Sequence, residues 1–232
     1  MSVLKGVIFD FNGTLLWDTP YHNRAWNIFL EKYGIKLSDA EIRDKFHGKN
    51  NRDIFTLLFK GKLSSQQILK YASEKEAIYR KLIEDDDFQL ASGVTRLFNF
   101  CLGACIPMAI ATSSEKENTD FYVERYKLKR WFQANRIVYN DYSFRGKPEP
   151  DIFVKAASRL FLHPSEIIVF EDSYAGIAAA EKFGAGKIII VNSTHDNYSE
   201  YQYPIISNFT AGLQIIKTEI ADERNQRIML EI

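Results

Sequence analysis

The amino-acid sequence predicts a doubly wound α/β fold, a Rossmann-like parallel sheet between helices, with an all-helical domain inserted after the first strand. Three observations lead to this prediction: short apolar runs without alternation, helical segments that separate them, and a strand-free stretch over residues 18–89. Unbroken apolar runs suit strands that are buried on both faces, as in a parallel sheet covered by helices. Alternation of strands and helices along the chain is typical of this class.

Four apolar runs are predicted as buried strands, and two weaker runs extend the sheet. The four are GVIFDF (6–11), IPMAIAT (106–112), IIVFED (167–172) and KIIIVN (187–192). RIVYN (136–140) is a weaker strand, and IISNFT (205–210) is a candidate edge strand. Helices are predicted for ENTDFYVERYKL (117–128), PDIFVKAASRLFL (150–162) and AGIAAAEKFG (175–184), and Gly184 ends the last of them.

Residues 18–89 interrupt the alternation with helical segments only. Ser38 to Glu41 and Ser64 to Gln67 have capping-box spacing, which marks the starts of two helices. A stretch of this length is too long for a loop in a compact sheet and long enough for a small bundle. The predicted domains are therefore an α/β core of residues 1–17 and 90–232 and a helical cap of residues 18–89, with hinges near 16–19 and 88–92.

The composition describes an ordinary globular protein and excludes some classes of partner. The 232 residues are 46% hydrophobic, and 30 basic residues balance 30 acidic ones. No global field attracts a nucleic acid or an anionic membrane. The N-terminal apolar run is too short for a signal peptide, and no run reaches eighteen apolar residues, so we expect a soluble, cytoplasmic monomer. Cys101 and Cys105, four apart in an apolar segment, are predicted to be reduced core residues.

Acidic side chains follow two of the predicted strands. Asp10 ends the first apolar run, and Glu171 and Asp172 end IIVFED. Each has a simple structural explanation, since Asp10 could cap a turn and the acidic pair could open the next helix. Ligands in open parallel sheets sit at the carboxyl ends of the strands, where these groups would meet. Clustered carboxylates repel unless a cation neutralises them, and all-oxygen ligation favours magnesium.

Hydroxyl and ammonium groups are predicted at the same edge of the sheet. Thr112 and Ser113 end the second strand, and Lys147 lies in RGKPEP before a helix. Singly, the hydroxyls could cap a helix and the lysine could be solvated. Together, a hydroxyl, free backbone N–H groups and a lysine are what a phosphoryl group needs. Lys147 beside Asp10 is also expected to keep that carboxylate ionised.

Four motifs in order, DFNGTL, ATSS, GKPEPDIF and VFEDSYAGIAAA, resemble those of the haloacid dehalogenase-like hydrolase superfamily, in its branch with a helical cap. The likeness covers nearly the whole chain. YHNRAW, KPEPDIF and EDSYAGI are most similar to β-phosphoglucomutase and related sugar-phosphate phosphatases. The resemblance implies a phosphoryl-transfer enzyme for a small phosphorylated metabolite that forms an aspartyl-phosphate. A hexose phosphate mutase and a catalytically weak phosphate-metabolite binder remain alternatives.

The resemblance also implies residue roles. Asp10 would attack phosphorus, and Mg²⁺ would be held by the Asp10 carboxylate, the Asn12 main-chain carbonyl and Asp172. Glu171 would help to set the metal site, directly or through water. The phosphoryl group in transfer would be held by Thr112, the backbone at Ser113, and Lys147.

Asn12 departs from the family pattern. Phosphatases and mutases of the superfamily usually have an aspartate two residues after the nucleophile, which protonates the leaving oxygen and later activates water. An amide does neither, so four interpretations are open: another proton donor, substrates with good leaving groups, an engineered substitution, or a degenerate phosphate binder. The Glu171–Asp172 pair argues against dehalogenation. A phosphonate hydrolase would need a cap lysine, and Lys49 has no matching sequence context.

Three cap residues match the β-phosphoglucomutase pattern and are substrate candidates: His22, Arg52 and Lys81. Trp26 lies four residues after His22 and so on the same helical face. Cationic side chains facing an anionic site would suit a sugar phosphate or a second phosphate. A structural or solvated role is the alternative for each.

Overall fold

Six parallel strands form one sheet in the computed structural model, which describes residues 4–230, with side chains described through residue 219. The strand order is β3-β2-β1-β4-β5-β6, and every pairing is parallel. The predicted fold class is confirmed, and IISNFT supplies the edge strand. The strands are β1 (Gly6–Phe9), β2 (Met108–Glu115), β3 (Ile137–Asn140), β4 (Ile167–Glu171), β5 (Lys187–Val191) and β6 (Ile205–Ile206).

The helices follow the predicted alternation, and two of them, α5 and α9, were not predicted. Gly184 adopts a positive φ of 75° and ends α8 as expected. The helices of the described chain are α1 (Thr19–Lys32), α2 (Asp39–Phe46), α3 (Asn51–Leu58), α4 (Ser65–Glu84), α5 (Val94–Gly103), α6 (Lys116–Arg125), α7 (Asp151–Leu160), α8 (Tyr174–Phe183) and α9 (Phe209–Leu230).

The sheet is buried on both faces, which explains the unbroken apolar runs. Val7 and Phe9 of β1 pack into a cluster with α5, α6 and α9, whereas Ile8 packs into a second cluster with α7 and α8. Successive strand residues point to opposite faces, so a strand covered on both sides needs apolar residues at every position. The helices cover the two faces of the sheet, so a ligand site is expected at the carboxyl ends of the strands.

Helices α1 to α4 have a hydrophobic cluster of their own. Its aromatic members are Trp26, Phe29, Phe46 and Phe55, and all its buried members lie between residues 26 and 72. Both predicted capping boxes are present at the starts of α2 and α4. A helical unit with its own core agrees with a cap after β1, whose boundaries stay a prediction.

The two cysteines differ in environment, which corrects one prediction. Cys101 is free and buried, but Cys105 is free and exposed. Helix α5 ends at Gly103, and Cys105 has a positive φ of 56°, so the four-residue spacing does not place the two thiols on one helical face. In the part of the chain that the structure describes, no helix is both long and apolar enough to span a bilayer.

Candidate active site

Two strand ends and one loop bring charged side chains together at the carboxyl edge of the sheet. Phe9 of β1 pairs with Phe170 of β4, so the residues that follow, Asp10 and Glu171, are neighbours. Lys147, in the loop before α7, donates to Asp10 Oδ1 at 2.6 Å and to the Glu171 carboxylate. Lys147 is 1% exposed, Glu171 0% and Asp10 6%. This is a buried ion cluster with two carboxylates on one ammonium.

Burial alters the protonation of this cluster. Desolvation raises the pKa of Asp10 to about 7, because it outweighs the attraction of Lys147. Burial, with the charges of Glu171 and Asp10, raises the pKa of Asp172 well above its usual range. Burial acts to lower the pKa of Lys147, but the Asp10 and Glu171 carboxylates outweigh it and raise that pKa. Burial thus opposes the ionisation of Asp10 that Lys147 favours.

Three carboxylates lie close enough to share a metal ion. Asp10, Glu171 and Asp172 each offer one oxygen, and these oxygens lie within 4.8 Å of one another. Glu171 is engaged by Lys147 and by the backbone N–H groups of Asp172 and Ser173, at 2.7 and 2.8 Å. Among the described residues, the Oδ2 atoms of Asp10 and Asp172 have no hydrogen-bond donor. A hard cation suits such a cluster of carboxylate oxygens, and it would oppose the raised carboxyl pKa values.

Gly13 keeps the space beside Asp172 open. A Cβ on Gly13 would lie 2.1 Å from Asp172 Oδ2, and the residue has a positive φ of 79°. The other oxygen, Asp172 Oδ1, accepts from the Thr14 hydroxyl at 2.7 Å. In the loop after β1, Thr14 thus orients the Asp172 carboxylate, and Gly13 allows it to approach the backbone closely. Carboxylates that follow β1 and β4 can therefore bind the same metal ion.

The end of β2 lies in the same place. Thr112 is 1% exposed, and its Oγ1 accepts from the backbone N–H of Ser114 at 3.2 Å. Ser113 donates its hydroxyl to the Gly48 carbonyl of the cap at 2.7 Å. Thr112 and Ser113 line one cleft together with Asp10. The Ser113 side chain therefore connects the cap to the core.

Asn12 uses its whole amide within the protein. Its Nδ2 donates to Asp18 Oδ2 at 2.6 Å and to the Tyr122 hydroxyl at 2.9 Å. Its Oδ1 accepts from Ser114 Oγ at 2.7 Å and from Thr112 Oγ1 at 3.4 Å. Asp18 is completely buried. The surroundings of position 12 are thus complementary to an amide, because a carboxylate accepts from its NH₂ group and hydroxyls donate to its oxygen.

A cleft with a volume of about 90 Å³ lies above these groups, between the cap and the core. His22 lines it, as predicted, but Arg52 and Lys81 do not. Arg52 is exposed and stacks over Tyr142 at 3.9 Å from the ring centroid, and Lys81 is exposed in the last turn of α4. Sequence spacing does not determine which face of a helix is turned inward, and the substrate roles of Arg52 and Lys81 stay predictions. The cap side of the cleft is lined by Thr19, His22, Trp26, Phe46, His47, Gly48, Lys49, Asn51, Ile54, Lys75 and Glu76.

Sequence reasoning missed the buried charges of the cap. Lys75 and Glu76 are 2% and 7% exposed, and Lys75 Nζ lies 2.9 Å from Glu76 Oε1. A signal was available, because both residues fall on the apolar stripe of α4 that includes Ile68, Ala72 and Tyr79. Charged residues on a buried stripe must be paired, and they point to a polar site.

Comparison with known proteins agrees with this geometry. The model of the haloacid dehalogenase-like hydrolase family matches residues 4–184. A phosphorylated carbohydrates phosphatase of Thermotoga maritima is 27% identical over 198 residues, spanning 83% of this chain and 88% of that protein. A β-phosphoglucomutase of Bacillus subtilis is 29% identical over 187 residues, spanning 78% of this chain and 80% of that protein.

A solved structure extends the likeness to the fold. It is a family IA hydrolase from Entamoeba histolytica, 34% identical, with a TM-score of 0.80, and the match covers 90% of this chain and 95% of that chain. The match to the family model, over residues 4–184, includes all the predicted site residues. The chain is therefore a member of the haloacid dehalogenase-like hydrolases.

Proposed function

We propose that this protein is a Mg²⁺-dependent phosphatase that acts on a small phosphorylated carbohydrate through an aspartyl-phosphate on Asp10. One observation carries the proposal: Asp10 Oδ1 accepts from Lys147, and the Asp10 carboxylate belongs to the acidic cluster and lines the cleft. A carboxylate fixed in this way is an oriented nucleophile. The cytoplasmic, monomeric state predicted from the sequence belongs to the same proposal.

The reaction needs an in-line attack and stabilisation of charge on the transferring oxygens. An Asp10 oxygen bonds to phosphorus as the ester bond breaks, and the leaving oxygen takes a proton. The Lys147 ammonium, the Thr112 hydroxyl and the backbone N–H at Ser113 stabilise the phosphoryl oxygens. Asp10 and Asp172 would hold Mg²⁺, which would supply the positive charge that lets a carboxylate approach a phosphate. Water then hydrolyses the aspartyl-phosphate and releases inorganic phosphate.

We infer a phosphatase rather than a phosphomutase from the few cations on the cap side of the cleft, because a mutase has to hold a second phosphate there. Lys75 is paired with Glu76, and Arg52 is outside the cleft, which leaves Lys49 as the lysine of the cap lining that is not paired in this way. Burial lowers the pKa of His47 to about 4, so that imidazole is neutral at pH 7. Relatives that include a phosphorylated carbohydrates phosphatase support the substrate class.

The test is turnover of an aryl phosphate and of a panel of sugar monophosphates, with Mg²⁺ and with a chelator. We expect Mg²⁺-dependent release of phosphate, complete loss in Asp10→Asn, and no change in Asp120→Asn, an exposed aspartate on α6. Intact-protein mass should detect one added phosphoryl group on the wild type and none on Asp10→Asn.

Two outcomes contradict this function. Binding of sugar phosphates without release would identify the weak binder instead. Formation of an isomeric sugar phosphate without free phosphate would identify a mutase.

A further inference from the structure

The proposed reaction needs a proton for the leaving oxygen, and the residue at the usual position does not supply it. The Asn12 amide is not an acid under physiological conditions, and its donors and acceptor are already used within the protein. An alkyl leaving group departs slowly without a proton, so a proton donor typically contributes about 10²–10⁴-fold. Another group beside Asn12 is required.

The His22 imidazole lies beside this position. Asp18 Oδ2, which accepts from the Asn12 amide at 2.6 Å, lies 3.4 Å from His22 Nε2. The imidazole ring stacks flat on the Tyr79 ring, with centroids 3.8 Å apart and an interplanar angle of 6°. This packing fixes the ring plane in the cleft that Asp10 also lines.

The two nitrogen atoms of His22 have different partners. Nδ1 lies 2.8 Å from Lys75 Nζ, and an ammonium group is only a donor, so Nδ1 is the acceptor. A neutral imidazole then carries its hydrogen on Nε2. Nε2 is buried and makes no hydrogen bond within the described chain, since the Asp18 contact lacks hydrogen-bond geometry. The structure thus contains a buried N–H without an acceptor beside Asn12.

Lys75 can replace the proton that His22 gives away. Its ammonium contacts His22 Nδ1 and Glu76 Oε1, at 2.8 and 2.9 Å, and lies 4.9 Å from the centroid of the Trp26 ring. The Glu76 carboxylate is fixed in turn by Asn51 and by Asn118 of the core. A chain of hydrogen bonds therefore runs from a buried ion pair to the imidazole.

We propose that His22 is the proton donor to the leaving oxygen, with Lys75 as the positioning residue that reprotonates it. This inference rests on the proposed phosphatase function. As the Asp10–phosphorus bond forms and the ester bond breaks, the leaving oxygen takes the proton on Nε2, and Nδ1 takes a proton from Lys75. The imidazole stays neutral, with its hydrogen moved to Nδ1, and Lys75 becomes an amine.

The second half of the reaction reverses these transfers. The water oxygen bonds to phosphorus as the aspartyl bond breaks, its proton goes to Nε2, and Nδ1 returns its proton to Lys75. The sum is one ester and one water converted to one alcohol and one phosphate. Both protonation states return to those at the start.

The experiment compares leaving groups, because only a poor leaving group needs the proton. We measure phosphoenzyme formation from an alkyl phosphate and from nitrophenyl phosphate, by rapid quench, in wild type, His22→Gln, Lys75→Met and the control Lys70→Met, an exposed lysine of α4. His22→Gln should lower the alkyl rate by about 10²-fold or more and the nitrophenyl rate by less than about threefold. Lys75→Met should show the same selective loss, by about tenfold, and Lys70→Met no loss.

Equal losses on both substrates would overturn the proposal, because a merely structural His22 affects both. Unchanged rates in His22→Gln would overturn it as well. If His22→Gln does not fold, the selectivity of Lys75→Met decides by the same criterion. Failure of the function itself is separate, since the wild type would then form no phosphoenzyme from nitrophenyl phosphate.

Discussion

Asn12→Asp, which restores the common family residue, should destabilise this protein at neutral pH. The Asn12 amide donates to Asp18 Oδ2 at 2.6 Å, and Asp18 is completely buried. Two ionised carboxylates at that distance repel by about 6 kcal/mol at an effective dielectric constant of 20. The new carboxyl avoids this repulsion by keeping its proton, which then hydrogen-bonds to Asp18.

Keeping a proton has a cost that depends on pH. Holding a carboxyl with an ordinary pKa of about 3.9 in its protonated form costs about 4 kcal/mol at pH 7 and about 1.5 kcal/mol at pH 5. The sign follows from linkage: the folded-state pKa of the new Asp lies above the unfolded value, so the variant loses stability relative to wild type as pH rises from about 4 towards that raised pKa.

Urea unfolding of both proteins in a chelator, at pH 5 and pH 7, measures this difference. Asn99→Asp is the matched control, because Asn99 is exposed and its side-chain oxygen accepts from Trp131, a role that a carboxylate keeps. We expect the control to change stability by less than about 0.5 kcal/mol. An Asn12→Asp protein within about 1 kcal/mol of wild type at pH 7, or with equal losses at both pH values, would refute the reasoning.

Three more predictions concern the ion cluster. Because burial raises the pKa of Asp10 to about 7, the metal-free protein should lose stability as pH rises from about 4 to 7, and Mg²⁺ should raise Tm more at pH 8 than at pH 6 in thermal scans. Lys147→Met leaves Asp10 and Glu171 buried without a cation, so urea unfolding should show a loss of about 3–5 kcal/mol at pH 8 and a smaller one at pH 5. Gly176→Ala should unfold at a clearly lower temperature, because its Cβ would lie 1.8 Å from Glu171 Oε1, whereas Gly103→Ala meets no atom within 4 Å and should be neutral or stabilising.

The sequence predicted the core side of the site well because parallel sheets restrict where strand ends lie. Once β1 and β4 are buried strands of one sheet, Asp10 and Glu171 must emerge at the same edge, and register makes them neighbours. Lys147 lies in the loop that leads into α7, and the position of that helix on the sheet places the loop at the same edge. The sequence motifs were therefore sufficient to predict which side chains meet at this edge of the sheet.

The cap side could not be predicted in the same way. A helix has many faces, and the orientation of α3 and α4 on the core depends on the packing of Trp26, Phe29 and Phe55. Arg52 and Lys81 were selected by their charge, yet both are exposed and neither lines the cleft. A charged residue on the apolar stripe of a helix is a better indication of a site than charge alone, as Lys75 and Glu76 on α4 illustrate.

The amide at position 12 follows from how the molecule separates two buried groups of charges. One group joins Asp10 and Glu171 to Lys147, and the other extends from Asp18 through the cap. Asn12 lies between them and is neutral, so it adds no charge to either group while it donates a hydrogen bond to Asp18. A carboxylate at position 12 would lie close to the carboxylates of both groups, and the repulsion would raise the pKa values of the carboxyls in each group. This explains why the proposed proton donor is His22: an ionised carboxylate at position 12 would be repelled by the Asp18 carboxylate.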